Sequence, residues 1–307
     1  MTTQTDGKTN TVHRRLRSAG GTLRLILSNP MSAFGLIVVI LFFGSAIVVT
    51  IFGNAVLPFP PNKLNLNGVL LSPSLTHLMG TDNYGRDIFS RILAATPEDA
   101  SISLLVVVVS VVIGLFLGAL AGMSGGKIDE LIMRITDVFM AFPGLILALA
   151  VGAALGPGAV HMAEALVIVW WPPYIRIARG ETLSLKQNWY ISAARLSGHK
   201  TMTIVRKHVI PNIISPILIY ATLDLGSVII VASILSYLGL GAQPPQAEWG
   251  RMVLDGQDYL FTKWWIPIFP SLAILFTVLG FNALGDNLRD LFDPKQRSSL
   301  KTRLTGA

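Results

Sequence analysis

Long apolar runs alternate with short polar and basic stretches along most of this chain. The runs "MSAFGLIVVILFFGSAIVVTIF" (residues 31–52) and "SISLLVVVVSVVIGLFLGALAGM" (101–123) carry no charge at all. A helix needs roughly 20 mostly apolar residues to cross about 30 Å of hydrocarbon, and a helix on the surface of a soluble domain would show a polar face. Runs at 138–155, 162–175, 213–240 and 265–285 complete the set, so the pattern predicts an all-α, polytopic membrane protein with six transmembrane helices. The run at 162–175 is the shortest. Apolar stretches of about 10–14 residues are as often buried or re-entrant, and five spans would put the two termini on opposite sides.

Between the spans, residues 53–100 form an expected external segment that opens on the Pro-rich "LPFPPNKLNLNG" and continues into "HLMGTDNYGRDIFSRIL". Gly80 and Gly85 supply turn signals there, and Asp87, Ile88, Phe89, Arg91, Ile92 and Leu93 fit a short amphipathic helix lying on the outer surface. Pro143, within the third span, predicts a kink. A second external segment, "GAQPPQAEWGRMVLDGQDYLFTKWW", ends in Trp264-Trp265, which reads as an interfacial aromatic anchor.

Charge placement supports this topology. With six spans and both termini cytoplasmic, 19 Lys/Arg fall inside and 5 outside, as expected where cytoplasmic loops are rich in basic residues. The net charge of +7 therefore belongs to membrane-flanking positions beside lipid, and no basic patch with stacking aromatics points to nucleic acid. The first apolar run is longer and starts later than a cleavable leader's, so it is expected to stay as an anchor in the cell membrane. With 0 cysteines there are no disulfides, thiolate metal sites or cysteine nucleophiles.

Enzymatic motifs are missing as well. The nearest approach to a phosphate-binding loop, "AGMSGGKI", has Ala121 at its first glycine position and Ile128 after Lys127. No H-E-x-x-H or G-x-S-x-G occurs, and the five histidines show no metal-ligand spacing, so no catalytic, cofactor or metal residue is assigned.

One polar insert stands out, "YISAARLSGHKTMTIVRKHVIPN" (190–212). Tyr190, Ala193, Ala194 and Ser197 recur at helical spacing and leave a stripe that is small over most of its length, against which another backbone could pack. Gly198 permits a sharp change of direction. Met202, Val205 and Val209 form one apolar face of a second short helix, with Arg206 and Lys207 pointing elsewhere and Pro211-Asn212 ending it before span five. Two readings fit these residues: a docking elbow for a partner, or an amphipathic interfacial helix.

At these residues the chain resembles the inner-membrane permease subunits of ATP-binding cassette importers, whose cytoplasmic loop carries an "EAA…G…P" pattern. Here it reads "SAARLSG" and then "HVIPN", with Ser192 in place of the acid and Ala193, Ala194, Gly198 and Pro211 matching. The "Y-x-x-A-A-R-x-x-G" and "R-x-H-x-x-P-N" forms, which add Tyr190, Arg195, His199 and His208, are similar to the dipeptide/oligopeptide/nickel branch. The segments "MGTDNYGRDIFSRIL", "DVFMAFPGLILAL", "LSYLGLGAQPPQAEWGRM" and "NALGDNLRDLFDP" extend the likeness, and together they resemble the second permease of the pair.

That resemblance implies a heterodimer with a homologous permease, two ATP-binding subunits that carry ATP and Mg, and an external solute-binding protein. It makes the insert, about 183–212, a coupling loop on an ATPase subunit. The implied organisation is a cytoplasmic tail (1–28), a first helix with external loop (29–100), a transmembrane core (101–292) and a cytoplasmic tail (293–307). Peptides are the leading solute, with nickel chelates and oligosaccharides as alternatives on the same machinery, and a stand-alone transporter or channel is the alternative of a different class.

Two departures from the family pattern are notable. The segment at 94–100 brings Glu98 and Asp99 where the family has an Arg leading into span two. Asp224 lies inside span five, about two helical turns before Ala232, where the family often has a Glu. An acid at that depth must face the bundle interior or a wet path, so Asp224 either lines the path or packs helices together.

Overall fold

The computed structural model describes Leu27 and residues 29–292, so the assignments to the two tails fall outside the described residues. Within them the fold is all-α, with one isolated antiparallel bridge between Thr81 and Asp87.

Helix α1 (Pro30–Phe52) starts at Asn29, whose side chain accepts from the Met31 N–H at 3.0 Å, while Pro30 occupies a first-turn position where no donor is required. Helix α2 (Ile88–Ser124) runs for 37 residues without a break. The short surface helix expected around residues 87–93 is thus the first turns of the second crossing, and the crossing starts at Ile88 instead of residue 101. Pro97 lies inside it and removes the donor that the Leu93 carbonyl would receive, but the Thr96 hydroxyl donates to that carbonyl at 2.7 Å. The freed acceptor is satisfied locally, and the helix continues.

Pro143 acts differently. Helix α3 (Gly126–Met140) and helix α4 (Gly144–Leu155) meet at an 86° bend, so the expected kink is a break. The shortest apolar run divides at Trp171 between α5 (Ala159–Trp170) and α6 (Pro172–Leu185). The insert forms α7 (Trp189–Leu196) and α8 (Thr201–Ile204), followed by a π-helical turn, Val205–Val209, and by α9 (Ile210–Tyr237). Helices α10 (Trp249–Gly256) and α11 (Trp265–Phe292) complete the described fold. Four helical segments are long and apolar enough to cross a membrane, α1, α2, the run Thr201–Tyr237 and α11, and the bent α3–α4 pair makes a fifth.

The tightest helix pairing joins α2 to α6. A methyl group at Gly114 would lie 2.2 Å from Tyr174 Cβ, and one at Gly118 would lie 2.5 Å from the Ile175 carbonyl oxygen. At Gly122 it would come within 2.8 Å of Thr182. These glycines, four residues apart, form a groove in which the α6 backbone lies. One core then gathers α2, α5, α6, α9 and the π turn around Val106, Met162, Leu166, Tyr174 and Ile217. A second packs α1, α10 and α11 against the start of α2, with Phe42, Phe43, Trp249 and Phe281 in edge or tilted ring contacts.

The segment before α2 is held by its own hydrogen bonds. Asp82 accepts from the Tyr84 and Arg86 backbone N–H groups at 2.9 Å and pairs with Arg86 Nε at 2.6 Å, while Asp87 caps α2 by accepting from Ser90 N at 2.8 Å. Trp265 does not face outward with Trp264 as the anchor reading held. It is buried against Gly80, and only Trp264 of that pair is exposed. The 53–87 and 241–264 segments meet at one end of the bundle, where Arg86 Nη2 lies 3.8 Å from Asp255 Oδ2.

Gly114→Ala is expected to lower stability by about 1–3 kcal/mol through overpacking on Tyr174. Gly44→Ala, whose new methyl has nothing within 4 Å, should be close to neutral. Thermal unfolding of the detergent-solubilised protein compares the two.

Candidate functional site

The elbow lies at the end of the bundle opposite those outer segments. α6 ends at Leu185, and Lys186 Nζ reaches back to the Gly122 carbonyl at 3.1 Å, tying the exit of α6 to the last turns of α2. Three residues later α7 begins, held to the body by Ile191, which is fully buried. Its other faces are open: Trp189 is 84% and Leu196 89% exposed.

Of the predicted stripe, Tyr190, Ala193 and Ser197 face outward, and Ala194 is partly buried against the core. Ser192 and Arg195 are exposed beside them. The stripe therefore is not used against this chain's own backbone. At the C-terminus of α7 the Ser197 N–H donates to Ala193 at 2.9 Å, Gly198 to Arg195 at 2.9 Å and His199 to Ala194 at 3.2 Å. Gly198 has φ +81°, in the left-handed region, with nothing within 4 Å of where a Cβ would stand. The turn thus demands glycine for its dihedral angle, with open space around it.

Beyond the turn the structure departs from the expected short, proline-terminated helix. The chain enters α8, passes through the π turn and continues into α9, so Thr201–Tyr237 is one helical run of 37 residues. The Ile210 N–H bonds the Val205 carbonyl five residues back, and Pro211, with no donor of its own, falls at the seam between the π and α ladders. Asn212 supplements the seam by donating its side-chain amide to the His208 carbonyl at 2.6 Å. Pro211 therefore does not end the helix. The buried face consists of Ile204, Val205 and Val209, with Met202 exposed in place of its expected burial and Arg206 and Lys207 outward as expected. His199 and His208 come together across the elbow, ring centroids 6.4 Å apart and nearly perpendicular.

Two ion pairs absent from the sequence reading brace this end. Arg179 on α6 makes a bidentate pair with Asp129 on α3, at 2.6 and 2.7 Å, and Arg176 meets Asp137 at 2.6 Å. The signal available in the sequence was the acidic "KIDELIMRITD" facing the basic "RIARGETLSLK", but only the fold sets their register.

Asp224 sits apart from the elbow, buried in α9. One oxygen, Oδ2, accepts from Trp170 Nε1 at 2.5 Å and from the Tyr174 hydroxyl at 2.8 Å. Trp170 ends α5 and Tyr174 opens α6, so this carboxylate pins both sides of the Trp171 junction to α9. The Tyr174 ring also packs edge-on to Tyr220, one turn before Asp224.

Comparison with known proteins follows this architecture. The family described as binding-protein-dependent transport system inner membrane component matches residues 114–298. A probable D,D-dipeptide transport system permease of Escherichia coli is 44% identical over 235 residues, 76% of this chain and 79% of that protein. A glutathione transport system permease of Pectobacterium atrosepticum is 46% identical over 226 residues, 74% of this chain and 75% of that one. A dipeptide transport system permease of Alkalihalophilus pseudofirmus is 38% identical over 270 residues, 88% of each chain. Among solved structures, a chain of the MetNI methionine ABC transporter in an inward-facing conformation aligns with TM-score 0.53 at 18% identity. That alignment covers 65% of this chain and 95% of the other, and at this identity it speaks to the fold.

Replacing Asp224 with Leu leaves two buried donors without an acceptor, and should destabilise the helix bundle by about 1–3 kcal/mol. Asp224→Asn keeps an acceptor oxygen and should lose less. Thermal midpoints of the purified variants give the order.

Proposed function

We propose a peptide-importing role for this chain, which belongs to the family of inner membrane components of binding-protein-dependent transport systems and is a multi-pass permease subunit of an ATP-binding cassette importer. The observation that carries the solute class is the sequence identity to permeases named for dipeptides, D,D-dipeptides and glutathione, all of them short peptides, over three quarters or more of their lengths. In this reading the chain forms half of a path with a homologous permease. An external binding protein delivers solute to the end where the 53–87 and 241–264 segments meet, and two ATPase subunits work at the other. The sixth crossing is α5 with the start of α6, and both termini are cytoplasmic.

The elbow is the part of this chain that meets an ATPase subunit. Exposed Trp189, Tyr190 and Leu196 offer the apolar contact, with Ser192, Ala193 and Arg195 alongside and the Gly198 turn setting the angle. His199, His208 and Pro211 belong to the joint behind that surface. What supports a mechanical role is continuity: from Thr201 onward the joint is the first part of the helix that crosses the membrane. Movement of the ATPases is thereby delivered along a rod to the region of Asp224. Closure on ATP becomes a displacement of α9 against α5 and α6, and the path changes the side to which it opens. ATP hydrolysis lies on the partner subunits. Asp224 serves in this scheme as a helix-packing group, since its two hydrogen bonds both come from this chain's own helices.

Gly198→Trp is the direct test. A side chain at φ +81° costs about 1–2 kcal/mol, and an indole there also crowds the docking face. Membrane insertion should be retained, while co-purification of the ATPase subunits and ATP-dependent dipeptide uptake in proteoliposomes should fall at least about tenfold. Normal uptake by this variant would refute the docking assignment.

A further inference from the structure

A groove of about 900 Å³ lies between α2 and α5, running from Glu98 near the start of α2 to Ile168 near the end of α5. One wall is a single face of α2, on which Glu98, Ser101, Leu105 and Val108 follow at helical spacing. The facing wall is α5, which presents Val160 and Glu164. The surface is almost wholly apolar, and Leu105, Val108 and Val160 are exposed. Two carboxylates interrupt it, and no Lys, Arg or His lines the groove.

Glu98 accepts a hydrogen bond from the Gln246 side-chain amide at 2.9 Å, and neither Glu98 nor Glu164 has an ion-pair partner among the described residues. α2 is one of the helices apolar enough to cross a membrane, where a carboxylate turned to hydrocarbon is costly. The groove therefore suits an occupant that brings positive charge and apolar surface together.

We propose that this groove is a subsite on the solute path for an organic ammonium carried on an apolar body, with the ammonium drawn to Glu98 and Glu164 and the apolar part against Leu105, Val108 and Val160. The free amino end of a short peptide with an apolar first side chain has that chemistry. The proposal deepens the import reading and rests on it, because the groove has to open to the path between the two permeases.

The absence of cysteine makes a direct probe available, since an introduced thiol is the only one on this chain. Ser101→Cys and Val160→Cys, each in the assembled importer in membrane vesicles, are treated with a trimethylammonium-ethyl or a sulfonato-ethyl methanethiosulfonate, and modification of this chain is followed by mass spectrometry. The cationic reagent should react at least about threefold faster than the anionic one, beyond their ratio on a free thiol, because two nearby carboxylates attract one and repel the other. Adding Glu98→Gln and Glu164→Gln should return the ratio to the free-thiol value. No modification by either reagent, as when lipid or the partner permease covers the groove, would overturn the proposal. So would a ratio that ignores the glutamates. The ratio reads the groove whether or not the complex imports peptides, so failure of the import reading and failure of this one are separable.

Discussion

The contact of α6 with the glycine groove of α2 is the constraint from which the rest of the arrangement follows. At Gly114, Gly118 and Gly122 no Cβ fits, so the two backbones touch over two helical turns and the azimuth and height of α6 are fixed. Tyr174 is then held where its hydroxyl meets Asp224, and Arg179 where its guanidinium meets Asp129. Lys186 is placed within reach of the Gly122 carbonyl, which sets the point where the chain leaves the bundle for the elbow. A lipid-soluble bundle gains little from hydrophobic contact between helices, because lipid tails are as apolar as leucine. Close backbone approach and a few hydrogen bonds supply the specificity instead.

The same constraint distinguishes a backbone-to-backbone pair of helices from one held by side chains. α2 and α6 form one body, braced to α3 by two ion pairs at the elbow end. α9 touches that body through packed side chains and the Asp224 hydrogen bonds, and it alone carries the elbow as a direct extension. The π turn sits where the elbow meets the membrane helix. A wider turn has looser hydrogen-bond geometry than an α-helix, so Val205–Val209 is the natural place for the angle between elbow and rod to adjust without breaking the rod. Ile204, Val205 and Val209 stay buried through it, which keeps the joint seated in the core while Arg206 and Lys207 remain outside.

Much of the fold was legible because lipid imposes a length and a composition on any helix that crosses it. The runs at 31–52, 213–240 and 265–285 each became part of a long helix for that reason. The change of direction at Gly198 was legible from small residues at helical spacing followed by a glycine, whereas the continuation of the second helix through Pro211 was not. The Asp224 partners, the Arg179–Asp129 pair and the groove beside Glu98 were not legible. Each joins residues roughly 50 or more positions apart, and their meeting depends on the register that the glycine groove fixes.

The three prolines that bear on the boundaries show why local reading stops where it does. Each removes one backbone donor and frees one carbonyl, yet the outcomes differ. Pro97 follows a threonine whose hydroxyl bonds the freed Leu93 carbonyl, and the helix goes through. Pro143 follows Phe142, whose backbone N–H meets the freed Phe139 carbonyl at 3.4 Å in a tighter turn, and two helices meet there at 86°. Pro211 comes after a π turn that has already shifted the ladder by one residue, and its missing donor falls at the seam. A proline therefore marks a place where a carbonyl needs another partner, and the group that supplies it differs between the span, the break and the joint. The continuous result at Pro211 joins the elbow to the long apolar helix without a loop, and on that continuity the proposed mechanical role rests.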